Sequence, residues 1–139
     1  MLSSLAYYIT LLRKDFTNYC NQQLAEMGLS QGLLFFILYV GKHPSCSPKD
    51  LAQALHMDAG HTVRSLSKLE QGGFLVQEIN PGDRRARILT LTKEGEKAFL
   101  LSHEMFTQWD NKATASLTTE ERQLLTALLE KLVTVQKCI

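Results

Sequence analysis

Three arginines fall within four positions, Arg84, Arg85 and Arg87, directly after the turn-forming run Asn80-Pro81-Gly82-Asp83. A guanidinium is always charged and presents its donors in a fixed plane that suits phosphate oxygens and base edges. At the tip of a turn such a cluster can enter a narrow minor groove and feel its negative potential. Asp83 would repel phosphate, so its expected role is to hold a neighbouring arginine, Arg85 or Arg64, in a charge-assisted pair. The plainer alternative for the arginines is protection of an edge strand against aggregation.

A second constellation lies upstream. His61, Arg64, Ser65 and Lys68 recur at i, i+3, i+4 and i+7, one polar stripe if the segment is helical. Its chemistry suits a major groove. Arg64 can pair bidentately with guanine O6 and N7, His61 and Ser65 can bond base edges or phosphate, and Lys68 can neutralise phosphate. Thr62 joins the candidate contacts, although its spacing to Leu66 and Leu69 turns it inward, with Val63 flanking that inward face. A solvated helix face is the plain alternative.

These residues need elements to position them. Ser47-Pro48-Lys49-Asp50 gives a hydroxyl cap, a proline at the first helical position and an acid in the first turn, so a short helix follows with Leu51, Ala52 and Leu55 inward. His56-Met57-Asp58 is a tight connection to a helix over about 59–71 that Gly72-Gly73 closes. Two short helices joined in this way match a helix-turn-helix. Residues 74–91 then read as a β-hairpin, with apolar and β-branched runs flanking the turn.

Long amphipathic helices are expected on either side. Leu5, Tyr8, Ile9, Leu12, Phe16 and Tyr19 recur at three- and four-residue steps, and the pattern stops near Gly28. Ser30 is placed to cap a second helix, apolar all round from Leu33 to Val40 and therefore buried. Thr92 caps a helix through about Ala115. A capping box at Thr118 and Glu121 starts the last one, which carries Leu124, Leu125, Leu128, Leu129, Leu132 and Val135. The terminal stripes exceed what the middle of the chain can cover, and a second copy of the chain is the economical cover. The domain reading is one unit over 1–139: dimerisation helices at 1–28 and 93–139, and a winged helix-turn-helix over 30–92. The alternative is that the terminal helices fold back on their own subunit.

The totals exclude some classes. The chain has 139 residues, 15 Lys and Arg against 14 Asp and Glu, and a net charge of +1, so the sum alone does not mark a nucleic-acid binder. The distribution matters more than the sum: residues 58–93 carry six basic against four acidic side chains and 94–139 carry five against seven, so the basic excess sits in the middle. No apolar run reaches the roughly 20 residues of a membrane span, and the N-terminus lacks the order of a signal peptide, so the protein is read as cytoplasmic. Cys20, Cys46 and Cys138 form no CxxC pair, and neither a metal site nor a cofactor is indicated. No glycine-rich phosphate loop or nucleophile partner is present, so an enzyme is not expected.

The run from His61 to Leu75, HTVRSLSKLEQGGFL, followed by Asp83-Arg84-Arg85-Ala86-Arg87 and Leu89-Thr90-Leu91-Thr92-Lys93-Glu94-Gly95, resembles the multiple antibiotic resistance regulator (MarR) family. The family's wing pattern, Asp-x-Arg before a Leu-Thr-x-x-Gly helix start, is met by Asp83, Arg85, Leu91, Thr92 and Gly95. Its recognition-helix arginine and closing Leu-Glu are met by Arg64, Leu69 and Glu70, whereas Gly60-His61 departs from the small hydroxyl residues of many relatives. The resemblance implies a mainly α fold with a small β-hairpin wing, a helical dimerisation region from both termini and a homodimer on a pseudo-palindromic DNA operator. It also implies repression relieved by a small molecule or by thiol oxidation. A crevice between the dimerisation helices and the head would then be lined by Phe16, Tyr19, Tyr39, His43 and Trp109, with Phe36 closer to ordinary core. Such walls suit an aromatic or amphipathic effector. Cys20, beside Tyr19, is the thiol candidate. A helical dimer that binds protein rather than DNA is the remaining alternative.

Overall fold

The computed structural model describes residues 3–137. Its elements run α1 (Leu5–Leu24), a single 3₁₀ turn (Ala25–Met27), α2 (Gln31–Lys42), α3 (Pro48–Leu55), α4 (Ala59–Gln71), β1 (Leu75–Asn80), β2 (Asp83–Leu91), α5 (Lys93–Ala113) and α6 (Thr119–Lys137). The chain is therefore mainly helical with one antiparallel hairpin, β1–β2. It divides inside α5, after Met105, into two units.

The first unit holds the core. Leu24, Leu34, Phe36, Ile37, Leu51, Leu66, Leu69, Leu75, Leu89 and Met105 are fully buried there. α2 is the central helix, as its all-round apolar sequence requires, and the ring of Phe99 from α5 lies where a side chain on Gly41 would begin. The N-terminus of α2 departs from the sequence expectation. Ser30 makes no side-chain cap, and the free Gln31 N–H instead donates to Oδ1 of Asn21 on α1 (2.8 Å).

α3 starts on a complete capping box. Ser47 Oγ accepts the Asp50 N–H at 3.0 Å, and the Asp50 carboxylate accepts the Ser47 N–H at 3.2 Å. His56 ends this helix in the left-handed region (φ +54°), and the Asp58 carboxylate caps α4 by accepting the His61 N–H at 2.7 Å. The three-residue turn between the helices is thus fixed at both ends by side-chain or backbone bonds.

The hairpin pairs Leu75 with Leu91 through Ile79 with Arg87, then shifts register so that Asn80 pairs with Asp83. Arg84, Arg85 and Ala86 form the bulge that this shift creates. In the second unit, Thr118 and Glu121 complete the capping box of α6, and Arg122 Nη1 donates to Asn111 Oδ1 at 2.7 Å. Leu124, Leu125, Leu128, Leu129, Leu132 and Val133 of α6 are exposed.

Candidate nucleic-acid interface

The faces of α4 follow from its burial. Thr62, Ser65, Leu66 and Leu69, at i, i+3, i+4 and i+7, are the buried set. Ser65 therefore leaves the polar stripe expected for it. It shares the periodicity of the leucines, and a small hydroxyl fits that face beside them. Thr62 is likewise inward, its Oγ1 donating to the Asp58 carbonyl at 2.9 Å. His61, Arg64 and Lys68 are exposed.

The outermost line of the helix is Gly60, Arg64 and Gln71, with the half-buried Ser67 between them. Arg64 lies back along that line: its Nη1 is 3.2 Å from where a Cβ on Gly60 would stand, and the Asp58 carboxylate is 3.4 Å from the same point. On one edge His61 sets its ring 6.1 Å from that of Phe36 on α2. Val63 occupies the other edge with Glu70, seven residues on. Gly60, Ser67 and Gln71 were not among the residues nominated from sequence, and Val63, expected to flank the inward face, is exposed instead. Their signal was available, because the line of Thr62, Leu66 and Leu69 fixes the opposite face.

The wing is held to this helix and to the loop before α3. Glu70 Oε2 accepts the Gln77 N–H at 2.9 Å, and the Leu89 N–H donates to the Cys46 carbonyl at 2.9 Å. Gln77 and Leu89 face each other in the ladder, so both bonds leave the hairpin outward at one level. At its tip the Asn80 side chain accepts the Gly82 N–H at 2.9 Å. Arg84, Arg85 and Arg87 are all exposed there.

Asp83 does not hold an arginine side chain. Its Oδ1 accepts the backbone N–H of Arg85 at 3.0 Å, and no ion pair joins it to Arg85 or Arg64 among the described residues. A short acid at a turn folds back onto the chain two residues on, which shapes the bulge and leaves the guanidinium groups free to turn outward.

The Leu-Thr-x-x-Gly run also acquires a structural reason. Thr92 Oγ1 accepts the Gly95 N–H at 3.1 Å, capping α5, and itself donates to the Gly73 carbonyl. A Cβ on Gly95 would fall on the carbonyl oxygen of Phe74, so only glycine lets the helix start sit against the entry to the wing.

Among the nominated crevice residues, Tyr39 and His43 are brought together. Their rings stack with centroids 4.1 Å apart at 22°, and His43 Nδ1 lies 3.1 Å from the Tyr39 carbonyl. Burial, and then the nearby Cys46 and Asp50, push the Tyr39 hydroxyl pKa upward. Phe16 and Tyr19 are half-buried on α1, and Trp109 is half-buried in the second unit. A groove of about 370 Å³ opens elsewhere in the first unit, lined by Val40, Gly41, Pro44, Leu91, Glu96 and Phe99 among others, and none of the five nominated residues lines it.

The two described thiols are shielded. Cys20 and Cys46 are buried, and burial raises each pKa to about 11, with Asp50 adding to the effect at Cys46. A reactive thiol needs exposure and a lowered pKa, and neither has them. Cys138 lies outside the described residues.

The sequence model of the MarR family matches residues 27–86. The chain is 46% identical over 132 residues to the HTH-type transcriptional regulator BilQ of Clostridium symbiosum, covering 95% of this chain and 92% of that one. It is 36% identical over 123 residues to BilQ of Clostridioides difficile, covering 88% and 83%. Its fold is similar to that of a cysteine-to-serine mutant of MarR from E. coli complexed with operator DNA, at TM-score 0.81, 22% identity and 92% coverage of each chain.

Proposed function

Because the chain belongs to the MarR family of transcriptional regulators, we propose that it binds a pseudo-palindromic DNA operator as a homodimer and acts as a repressor. The observation that carries the DNA-binding reading is the joining of two exposed cationic elements. Arg64 and Lys68 stand on α4, Arg84, Arg85 and Arg87 stand on the wing, and the Glu70–Gln77 bond ties one to the other. α4 enters the major groove with Arg64 on a guanine edge and Lys68 on phosphate. The wing arginines reach the flanking minor groove.

The homodimer rests on a different observation. Leu5, Tyr8, Ile9 and Leu12 of α1, and the leucines of α6, are exposed in the single chain, and long apolar stripes in water call for cover. A two-fold pair that covers them sets two heads about one DNA turn, roughly 34 Å, apart. The stacked Tyr39 and His43 supply an aromatic wall for a small aromatic or amphipathic effector that releases the operator.

Three measurements test this reading. Sizing should give a dimer, and affinity for duplex DNA should fall steeply between about 50 and 200 mM salt. Phenolic compounds added to the bound complex should release it. A strict monomer that ignores duplexes of every sequence at low salt would overturn the proposal.

A further inference from the structure

Val63 is the single large apolar side chain of α4 that is exposed, at 63%. Every other exposed position on the helix is polar, alanine or glycine. Its situation differs from that of the exposed leucines of α1 and α6, which come in long stripes and so call for one continuous cover. On α4 itself Val63 stands among polar exposed positions, next to Arg64 and on the edge that carries Glu70. That edge faces the wing, because Glu70 bonds Gln77 there. A β-branched residue also loses rotamer freedom on a helix, and at its exposed site Val63 gains little packing in return.

We propose that Val63 is a specificity-determining residue that reads the 5-methyl group of a thymine in each half-site, within one base pair of the guanine bonded by Arg64. This rests on the reading of α4 as the recognition helix. The chemistry follows from the groove. The thymine methyl is the one apolar group that a base edge displays in the major groove, and small branched side chains are its natural contact. Consecutive helix positions diverge by about 100°, so Arg64 and Val63 reach neighbouring base edges rather than the same one. Gly60, with no Cβ, leaves the outermost line of the first turn to the Arg64 guanidinium, which lies 3.2 Å from where that Cβ would stand.

The test removes one methyl at a time. The tightest-binding duplex selected by the full-length protein from a random DNA pool is remade with uracil replacing each thymine in turn. Uracil keeps the pairing and every polar edge atom. Wild type should lose about three- to five-fold in affinity at one thymine per half-site, the worth of one buried methyl, and be indifferent elsewhere. Val63→Ala should bind the thymine duplex more weakly and lose the uracil effect, with a melting temperature that holds or rises slightly, since alanine favours an exposed helix position over valine. Selection with this variant should lose the preference for thymine at that position while keeping the guanine. Sequence-specific binding with every uracil neutral would overturn the thymine reading and leave DNA recognition standing. A Val63→Ala variant that retains the uracil effect would overturn the assignment to Val63. Failure to bind any duplex would overturn both this proposal and the function it rests on.

Discussion

Glu70, on the last turn of α4, accepts the backbone N–H of Gln77 in β1 at 2.9 Å, so the candidate reading helix and the wing share a bond. The residue opposite Gln77, Leu89, is held from the other side by Cys46. Glu70→Ala should leave the Gln77 amide unpaired, lower stability by about 1 kcal/mol and loosen the wing. Glu70→Gln keeps an acceptor and should largely preserve both. Hydrogen exchange at the Gln77 amide checks this directly: protection that survives Glu70→Ala would deny the bond its role.

Gly60→Ala should act in opposite directions on two measurements. Alanine favours the helix by up to about 1 kcal/mol over glycine, so the melting temperature should hold or rise. The new methyl group would sit 3.2 Å from Arg64 Nη1 and push the guanidinium aside. Operator affinity should fall by about 1 kcal/mol, a fraction of a bidentate arginine contact. Calorimetry and a gel-shift titration on the same sample measure the pair, and an unchanged affinity would contradict the placement.

Arg64→Ala and Lys68→Ala should separate readout from anchoring. Loss of Arg64 is expected to cost about 1 to 3 kcal/mol on the operator and to relax preference at one base pair. Loss of Lys68 should weaken specific and random duplexes alike and reduce the salt slope by about one. Equal loss on both DNA types for both variants would reject the division of roles.

The two buried thiols predict an alkaline limit to stability. Each pKa is raised from 9.0 to about 11, so the folded state favours the neutral thiol. That contribution is fully present below pH 9 and is lost as pH rises through 9 to 11, by up to about 2 to 3 kcal/mol per thiol. The double variant Cys20→Ala, Cys46→Ala should show a shallower fall in melting temperature over that window. Near pH 8 both thiols should resist mild peroxide in the folded protein, as mass spectrometry of those two peptides would show.

Much of the fold is legible in local signals. The Ser47-Pro48-Lys49-Asp50 cap, the Asp58 cap, the Thr118 and Glu121 box and the Pro81-Gly82 turn act within a few residues, and each forms as its spacing requires. The departures arise where a partner comes from elsewhere or where residue type is silent about direction. Asn21 replaces Ser30 at the start of α2 because a neighbouring helix supplies the acceptor. Ser65 has a polar type but a core periodicity, and the periodicity wins. Asp83 has a choice of cations by sequence and takes a backbone N–H two residues away, since that partner needs no ordering of a long side chain. The crevice residues come from three stretches of chain, of which Tyr39 and His43, one helical turn apart, stack on each other.

The fit of Gly95 against the Phe74 carbonyl has a mechanical meaning. With no room for even one methyl between them, and with Thr92 fastened to Gly73, the first turn of α5 cannot slide past the root of the hairpin. The start of α5 and the root of the hairpin therefore turn as one piece, and a tilt of either carries the arginine-bearing tip with it.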